Sequence, residues 1–430
     1  MADAIRQISE LTGYFKTNYL KSANESVYDV VDESIRFAEL VEFDSALGKD
    51  LKFPVLFSLE QGFTHGAESE DYLAYNDAQS AVSQEATLGA NQIYLKSLLT
   101  YKTAARSMEG GGKAFKAQTK HLVTGMVLSF KKRREILHWY GKDGLGTIET
   151  ITDSGSDVVL TISKATFAPG MWVGMENARV DVLLADKSDF TDATARNLKI
   201  KTIDIDNRNI TVEAVAHTVF ATGEHLYFAK TSEDSAANFS SAGVREMAGV
   251  KKILTTSGSL FGISNTTYGM WKGTEYDAGT AANLSFEIVQ KAAAKGAPKG
   301  LSGKVSLFCN TYAWSDLIVD EAAARRLDSS YKRETLENGS QQIVFHAANC
   351  QVQITPHSII KGGDAFIINP KDWSRVGSVE MSFEIPSLDK QIFVPLTTGN
   401  AYMIVLMGEE SIYCLKPAAQ VYIKDLSYSL

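Results

Sequence analysis

Cysteine is scarce in this 430-residue chain, which holds only Cys309, Cys350 and Cys414. They are far apart, odd in number and without metal-ligand spacing, which excludes a disulfide framework and reads as buried thiols in a reducing compartment. No apolar run is long enough to span a bilayer. Residues Met1 to Leu20 show no basic region followed by an apolar core, so the expectation is a chain that carries no secretory signal and folds in the cytoplasm. Positive charge is also in short supply: 43 Lys and Arg stand against 51 Asp and Glu, a net charge of -8. A protein whose main task is neutralising DNA phosphates needs a basic surface, so any nucleic-acid contact is expected to be local and weak. Phosphate-binding glycine loops, a nucleophile elbow and a zinc-protease helix are all missing. No catalytic site, cofactor or metal is implied.

The composition itself is ordinary for a globular chain, with 44% hydrophobic and 22% charged residues. A chain of this length is expected to divide into two or three domains. Its strongest local signal is a helix from Lys113 to Tyr140. Phe115, Leu122, Val123, Met126, Val127, Phe130 and Leu137 recur at the three-and-four spacing of one buried stripe. No proline interrupts the run, Gly110, Gly111 and Gly112 precede it and Gly141 follows it. Gly125, inside it, weakens helix propensity. Lys113, Lys116, Lys120, Lys131 and Arg134 are expected to be solvated or to meet another chain.

Before this helix, Ala4 to Phe15 reads as helical, and Tyr28 to Phe43 is too irregular for one clean face. That segment reads either as an arm packing on something else or as a small helical cap on the same chain. A short apolar run from Phe53 to Leu59 is followed by a polar stretch, His65 to Ser83, containing Tyr72, Tyr75, Asp77 and Gln79 with no apolar period. It has little means of forming a core of its own and is expected to be an extended, mobile hairpin or loop. The segment Ile93 to Tyr101 brings the chain back through Leu95, Leu98 and Leu99.

After Gly141 short β-favouring runs dominate: Val158 to Ile162, Trp172 to Met175, Val180 to Leu184, Leu198 to Ile205, Ile210 to Val215 and Leu226 to Phe228. They predict an inserted β-rich, barrel-like module. Its clearest piece is a hairpin, Ile203 to Asp206 and Ile210 to Glu213 around Asn207-Arg208-Asn209. Asp181, Asp204 and Asp206 lack the spacing and glycine of a calcium loop and read as solvated strand faces. Ser232 to Ser241 is an exit linker. Beyond Gly243 the chain alternates helices (Leu284 to Ala294, Tyr312 to Asp328) with strands (Val305 to Cys309, Ile343 to His346, Cys350 to Ile354, Phe366 to Ile368), with β character again in Phe393 to Leu406 and Tyr413 to Ile423. Asn310 with Trp314 and Asn369 with Trp373 repeat one device, an Asn capping a helical turn and a Trp folding back onto the sheet.

The catalytic candidate is Cys350 with His346, four residues apart in or beside strands joined by a turn. A buried Cys is usually inert, so the signal is small. His121 and His138 are too far apart on the helix to share a metal and read as face or interface residues. The run Lys131-Lys132-Arg133-Arg134 suits a solvated helix face or an ion-pair interface better than phosphate binding.

The order of parts resembles the major capsid protein of tailed bacteriophages, the Hong Kong phage-type fold shared with encapsulins. Asp50 to Ala105 looks like that family's extended loop and Lys113 to Tyr140 like its spine helix. Gly249 to Trp271, with Leu260-Phe261-Gly262 and Tyr268-Gly269-Met270-Trp271, looks like the lead-in to its axial domain. Pro356-His357 through Gly362-Gly363-Asp364-Ala365-Phe366 to Asn369-Pro370 and Trp373 is similar to its later strand-and-turn signature. Gly170 to Gly174, the Ile203 to Val212 hairpin and Gly223 to Leu226 resemble insertion domains of some phage coat proteins.

The resemblance implies an α+β phage major capsid fold divided as follows: an N-terminal arm (1–50), an extended loop (51–110), the spine helix of a peripheral domain (111–141), a β-barrel-like insertion (142–235), and the axial domain with the rest of the peripheral domain (236–430). It further implies a structural protein without enzymatic activity, forming pentamers and hexamers of an icosahedral shell around double-stranded DNA. The implied partners are further copies of itself, a separate scaffolding protein, a portal and a decoration protein, with DNA contacted weakly. A separate scaffold is implied because the arm is too short to be a cleaved scaffolding segment. No Lys and Asn match the family's cross-linking pair. The alternatives are an encapsulin-like cage holding an enzyme cargo, a hydrolase using Cys350 and His346, and a tail or baseplate component.

Overall fold

The computed structural model describes residues 37–45, 50–69, 72–101, 113–187, 190–192, 194–213, 216–231, 245–319, 343–384, 392, 394–396 and 399–429. The expected helix Ala4 to Phe15, the linker Ser232 to Ser241 and Gly110 to Gly112 lie outside these residues, as does most of the arm.

The long helix runs from Lys113 to Tyr140, the bounds expected from its breakers. At about 1.5 Å per residue it is roughly 42 Å long. Its first half buries one stripe, Leu122, Met126, Val127 and Phe130, against Ile93, Leu95, Ile404 and Leu406. Its second half is different. From Arg134 to Tyr140 every residue is buried, because the helix enters the junction of two sheets and a barrel. Gly141 ends it for a reason unlike a left-handed cap: the positive φ, 63°, belongs to Lys142. A Cβ on Gly141 would collide with the Met247 carbonyl, and the Gly249 N–H donates to Gly141 O at 3.0 Å. Close passage of the 247–249 backbone demands glycine there.

Against the helix lies a five-stranded sheet. Its centre is Ala401–Cys414, flanked antiparallel by Asn91–Thr100 on one edge and by Trp373–Ser382 and Val394–Pro395 on the other, with Phe43–Asp44 parallel to Trp373–Ser382. Leu98 and Leu99 are buried, so the return segment read from the sequence does tie the chain back to the fold.

Residues Gly146 to Phe228 form a closed six-stranded barrel. Period-two alternation sends Val158, Leu160 and Ile162, then Ile210 and Val212, and Val180 and Val182 into its interior. Trp172 to Met175 is not a strand as expected. Pro169 fixes φ at the first turn of a one-turn helix, Pro169–Trp172, and seats Met171 and Trp172 in the core. The expected hairpin forms, but its first strand stops at Asp204, whose carboxylate accepts from the Asn207 N–H and Nδ2–H and so starts the turn early. The strand Gly146–Ser154 was not read from the sequence. Its buried face is short, giving little alternation to detect.

The third unit is a mixed six-stranded sheet in the spatial order Thr274–Asn283, Val421–Ser427, Ala365–Ile368, Gly303–Cys309, Cys350–Pro356 and Ile343–Ala347. Both faces are covered, which explains the near-continuous apolar runs. Val305, Leu307, Ile367 and Val421 face the helices Phe286–Gly296 and Thr311–Val319. Phe308, Phe366 and Ile368 face the other way, joining Trp139, Tyr140, Trp373 and the barrel interior in one continuous core. Asn310 accepts from the Tyr312 N–H and donates to Ile360 O, and Asn369 accepts from the Lys371 N–H. Trp314 and Trp373 are both buried.

Barrel and sheet are joined tightly. The Gly170 N–H donates to Ser358 O, the Gly362 N–H to Phe167 O and the Gly363 N–H to Ala165 O, at 3.0, 3.0 and 2.7 Å. A Cβ at Gly362 would strike the Tyr428 ring, and one at Gly363 would press on the Ala165 carbonyl. The paired glycines are what let the two units touch.

Candidate functional site

Two buried clusters of charge flank the end of the long helix. Glu135, fully buried, accepts at one oxygen from the Phe37 N–H (2.9 Å), Trp139 Nε1–H (2.9 Å) and His357 Nε2 (3.1 Å). His138, also fully buried, contacts Glu135 on one side and Glu410 on the other. Arg375 clamps Glu410 through Nε (3.1 Å) and Nη2 (3.0 Å), reaches Glu380 at 2.7 Å, and donates to the carbonyls of Ala38 and Val41. Arg134 completes the set beside Glu380 and Glu410.

Burial by itself would raise the Glu135 carboxyl, but the neighbouring His138 and the hydrogen bond with His357 outweigh it and hold it well below the usual range. Glu410 is likewise depressed, burial being overcome by His138 and Arg375. Burial disfavours the His138 imidazolium, yet Glu410 and Glu135 together raise its pKa above the ordinary 6.5. The cluster is thus a closed set of paired charges, and it pins residues 37–41 to the middle of the molecule.

The second cluster lies one turn on. Lys361 Nζ donates to Asp143 Oδ2 and Gly144 O, both at 2.9 Å, while its N–H bonds the Tyr140 hydroxyl. Lys251 pairs with Asp364 at 2.9 Å and Asp143 at 3.4 Å, and the Tyr422 hydroxyl donates to Asp364. Lys187 reaches Asp143 from the barrel. Burial would raise Asp143, but Lys251, Lys361 and Lys187 hold it well below the normal range. Helix end, barrel and six-stranded sheet are locked at this point.

None of these residues except Asp364, His357, His138 and Arg134 was singled out in the sequence, and two expectations fail here. Arg134 and His138 are not solvated or interface residues, because the second half of the helix is enclosed on every side. Three residues of the basic run, Lys132, Arg133 and Arg134, are also engaged inside the chain. Lys132 Nζ meets Val173 O, and the Arg133 guanidinium lies 3.0 Å over the Phe228 ring, where burial pulls its pKa down to about 9. The one available signal was Glu135 and His138 at helical spacing within an otherwise apolar turn. The His121 side chain, like those of Lys113, Lys116 and Lys120, lies outside the described residues.

The Cys350 and His346 pair does not assemble. The strands Ile343–Ala347 and Cys350–Pro356 are antiparallel, with Cys350 opposite Ala347 and His346 opposite Gln351. Cβ atoms alternate across a strand, so Cys350 turns into the core packed by the helices while His346 is exposed on the other face. Burial pushes the Cys350 thiol up, away from thiolate chemistry. Asp181, on the outer face of its strand, accepts the N–H groups of Asn197 and Lys230 while Asp204 shapes an exposed turn, so they serve separate purposes.

The exposed counterpart to the buried clusters is the hairpin built on Leu51–Leu56 and Ser83–Leu88. Its base is anchored: Phe57 stacks on Tyr268 at 4.3 Å, and Phe53 lies 4.9 Å from Tyr413. Beyond the strands its arms still bond each other, Phe57 N–H to Val82 O, Gln61 N–H to Gln79 O and Asn76 N–H to Thr64 Oγ1. Gly62 allows the arms to meet, since a Cβ would lie 3.2 Å from Ala78 Cα. Yet Leu56, Leu59, Phe63 and Val82 are exposed, and Tyr72 and Tyr75 are 82% and 87% exposed. Large apolar side chains displayed on one projecting element mark an interaction surface.

No family model matches the chain, and no curated protein matches it. Solved structures do. The chain is similar, over 94% of its length and 97% of the other, to a chain of the cyanophage A-1(L) capsid asymmetric unit, at 10% identity and a TM-score of 0.51. A chain of the capsid of an empty GTA particle matches at 9% identity, 95% and 96% coverage and a TM-score of 0.49. One of the holo-SrpI encapsulin complex from Synechococcus elongatus PCC 7942 matches at 8%, 96% and 97%, and 0.42. The likeness to the cyanophage chain, end to end on both sides, shows that this chain has the α+β phage major capsid fold, here with a closed barrel following the long helix.

Proposed function

We propose that this chain is the major capsid protein of a tailed phage, building the pentamers and hexamers of an icosahedral shell around double-stranded DNA. The observation that carries the reading is the capsid fold over nearly the whole chain. The displayed hairpin supports it, because six large apolar side chains exposed on one element of the described residues call for neighbours to cover them. In this reading residues 1–50 are the N-terminal arm, 51–110 the extended loop, 111–141 the spine helix, 142–235 the insertion, and 236–430 the axial domain and the remainder of the peripheral domain. The hairpin and arm lie over neighbouring subunits, and the axial domain crowds around the local symmetry axes. Repeated heterologous contacts between identical chains then close the shell.

The subunit assembles in the host cytoplasm with a separate scaffolding protein and a portal, ends in the virion capsid, and offers the barrel to a decoration protein. Its net charge of -8 suits a wall that encloses DNA without gripping it. The role is structural, and the opposite strand faces taken by Cys350 and His346 support this reading over a hydrolase. The test is expression of the chain alone and with its scaffolding protein, followed by size-exclusion chromatography and negative-stain microscopy. Shells, rings or sheets of megadalton size are the expected result, with nuclease-protected DNA in particles from infected cells. A clean monomer or dimer under both conditions refutes the reading, and particles filled with protein in place of DNA would make it a cargo cage.

A further inference from the structure

We infer that Lys142, Lys187 and Lys252 form an anion site at the corner where the long helix, the barrel and the helix Val250–Thr255 meet, and that its ligand is a phosphate group. The inference goes beyond the shell-forming reading and does not depend on it. Hydrogen bonds bring the three residues to one place. Lys142 follows Gly141, which the 247–249 backbone crosses, and its N–H donates to Glu246 at 3.0 Å. Lys187 reaches over from the barrel and donates to Asp143 O at 3.1 Å. Lys252 lies on the helix Val250–Thr255 directly after Lys251, whose ammonium group is 3.4 Å from Asp143. All three lysines are half-buried.

Charge does not balance at this corner. Arg133, Lys142, Lys187, Lys251, Lys252 and Lys361 gather around Asp143, Glu246 and Asp364, and the exposed Asp186 beside Lys187 still leaves cations in excess. Burial lifts the Glu246 carboxyl above its usual range despite Arg133, which weakens one of the negative charges. Lys251 and Lys361 are spent on Asp143 and Asp364. The ammonium groups of Lys142 and Lys252 have no ion pair among the described residues. Burial lowers both, and like charge lowers them further, Lys142 through Lys252 and Lys252 through Lys187. The same field reaches His225, pushed down to about 4 by burial and then by Lys187. Holding like charges together out of water costs stability until an anion joins them.

The backbone gives an independent sign. Lys142 and Lys187 both take the left-handed region, at φ 63° and 59°, where glycine or asparagine costs less. Lysine contributes nothing to such a turn, so its side chain is the reason for its presence. Phosphate fits the site better than a carboxylate does. A carboxylate offers two oxygens in one plane, whereas ammonium groups arriving from three elements suit tetrahedral oxygens, and lysine serves phosphate as a flexible point charge. The group can come from a free polyphosphate or from a nucleic-acid backbone.

The experiment titrates the full-length, unassembled subunit calorimetrically with tripolyphosphate and, separately, with a short DNA duplex, at one fixed ionic strength so that general screening is constant. Three chains are compared: wild type, K142Q/K252Q, and the control K291Q/K299Q, which changes two exposed lysines elsewhere. Wild type and control are expected to bind tripolyphosphate alike, and K142Q/K252Q to bind it roughly tenfold or more weakly. Duplex binding lost in the same variant assigns the phosphate to a nucleic-acid backbone, and binding of tripolyphosphate alone assigns it to a free anion. No binding by the wild type, or equal binding by wild type and K142Q/K252Q, overturns the inference and leaves the shell reading intact. Melting without ligand supplies a second readout. Removing two unpaired, mutually repelling charges should leave the melting temperature of K142Q/K252Q at or above that of the wild type. A marked fall would mean that the two lysines already have partners within the subunit, and would overturn the inference as well.

Discussion

Glu135 and His138 show what a buried charge does in this molecule. Their partners come from the segment at Phe37, from His357 and from Glu410, which lie 98, 222 and 272 residues away along the chain. Removing one member of such a cluster strands the others, so Glu135→Ala is expected to destabilise the isolated subunit by about 3–5 kcal/mol, measured by urea unfolding. The cluster also sets a pH dependence. Glu135 and Glu410 are depressed below their usual 4.5, so their contribution is full above pH 4.5 and is lost as pH falls toward the depressed values. His138 is raised above 6.5, so its contribution is full below pH 6.5 and fades as pH climbs through the raised value. Melting temperature should therefore receive most from the cluster between about pH 4.5 and 6.5. Glu135→Gln should flatten the acid side of the profile, and an unchanged acid limb would refute the assignment. Cys350→Ala, by contrast, should cost only the order of 1 kcal/mol of packing and leave assembly unchanged.

At the scale of elements, the long helix carries two glycines with opposite meanings. Gly125 faces open space, so Gly125→Ala should stabilise the isolated subunit by about 0.5–1 kcal/mol through helix propensity. Gly141 is crossed by the 247–249 backbone, so Gly141→Ala should destabilise it by about 1–3 kcal/mol through overpacking. Paired unfolding curves for the two alanine variants, moving in opposite directions, would check both. The sequence marked the two glycines as a weak point and a stop, and only their surroundings separate an unneeded glycine from an obligatory one. The same holds for Gly362 and Gly363, which read as part of a turn signature and turn out to be where the barrel meets the six-stranded sheet.

For the molecule as a whole, rigidity and reach are divided between different parts. The barrel, the two larger sheets and the end of the helix share one continuous core and two charge clusters, while the hairpin projects from an aromatic anchor at Phe53 and Phe57. Replacing residues 59–81 with an Asn-Gly turn, so that Ser58 and Val82 keep their mutual bond, should leave the melting temperature of the subunit unchanged and abolish shells. A large fall in melting temperature would mean that the tip is part of the subunit's own fold.

The sequence by itself determined the elements whose evidence is local. The bounds of the long helix, most barrel strands, the outward hairpin and the alternating strands of the six-stranded sheet follow from periodicity and breakers, which are read within about a dozen neighbouring residues. The tertiary structure decided everything that depends on distant neighbours. It enclosed Arg134 and His138 where the helical stripe left them outside, turned Cys350 and His346 to opposite faces, made a one-turn helix of Pro169–Trp172, and gathered Asp143, Lys251, Lys361 and Asp364 into one ionic knot. The physical reason is that the period of a segment fixes which side chains share a face, whereas what covers that face, and hence its charge state and burial, is supplied by residues hundreds of positions away.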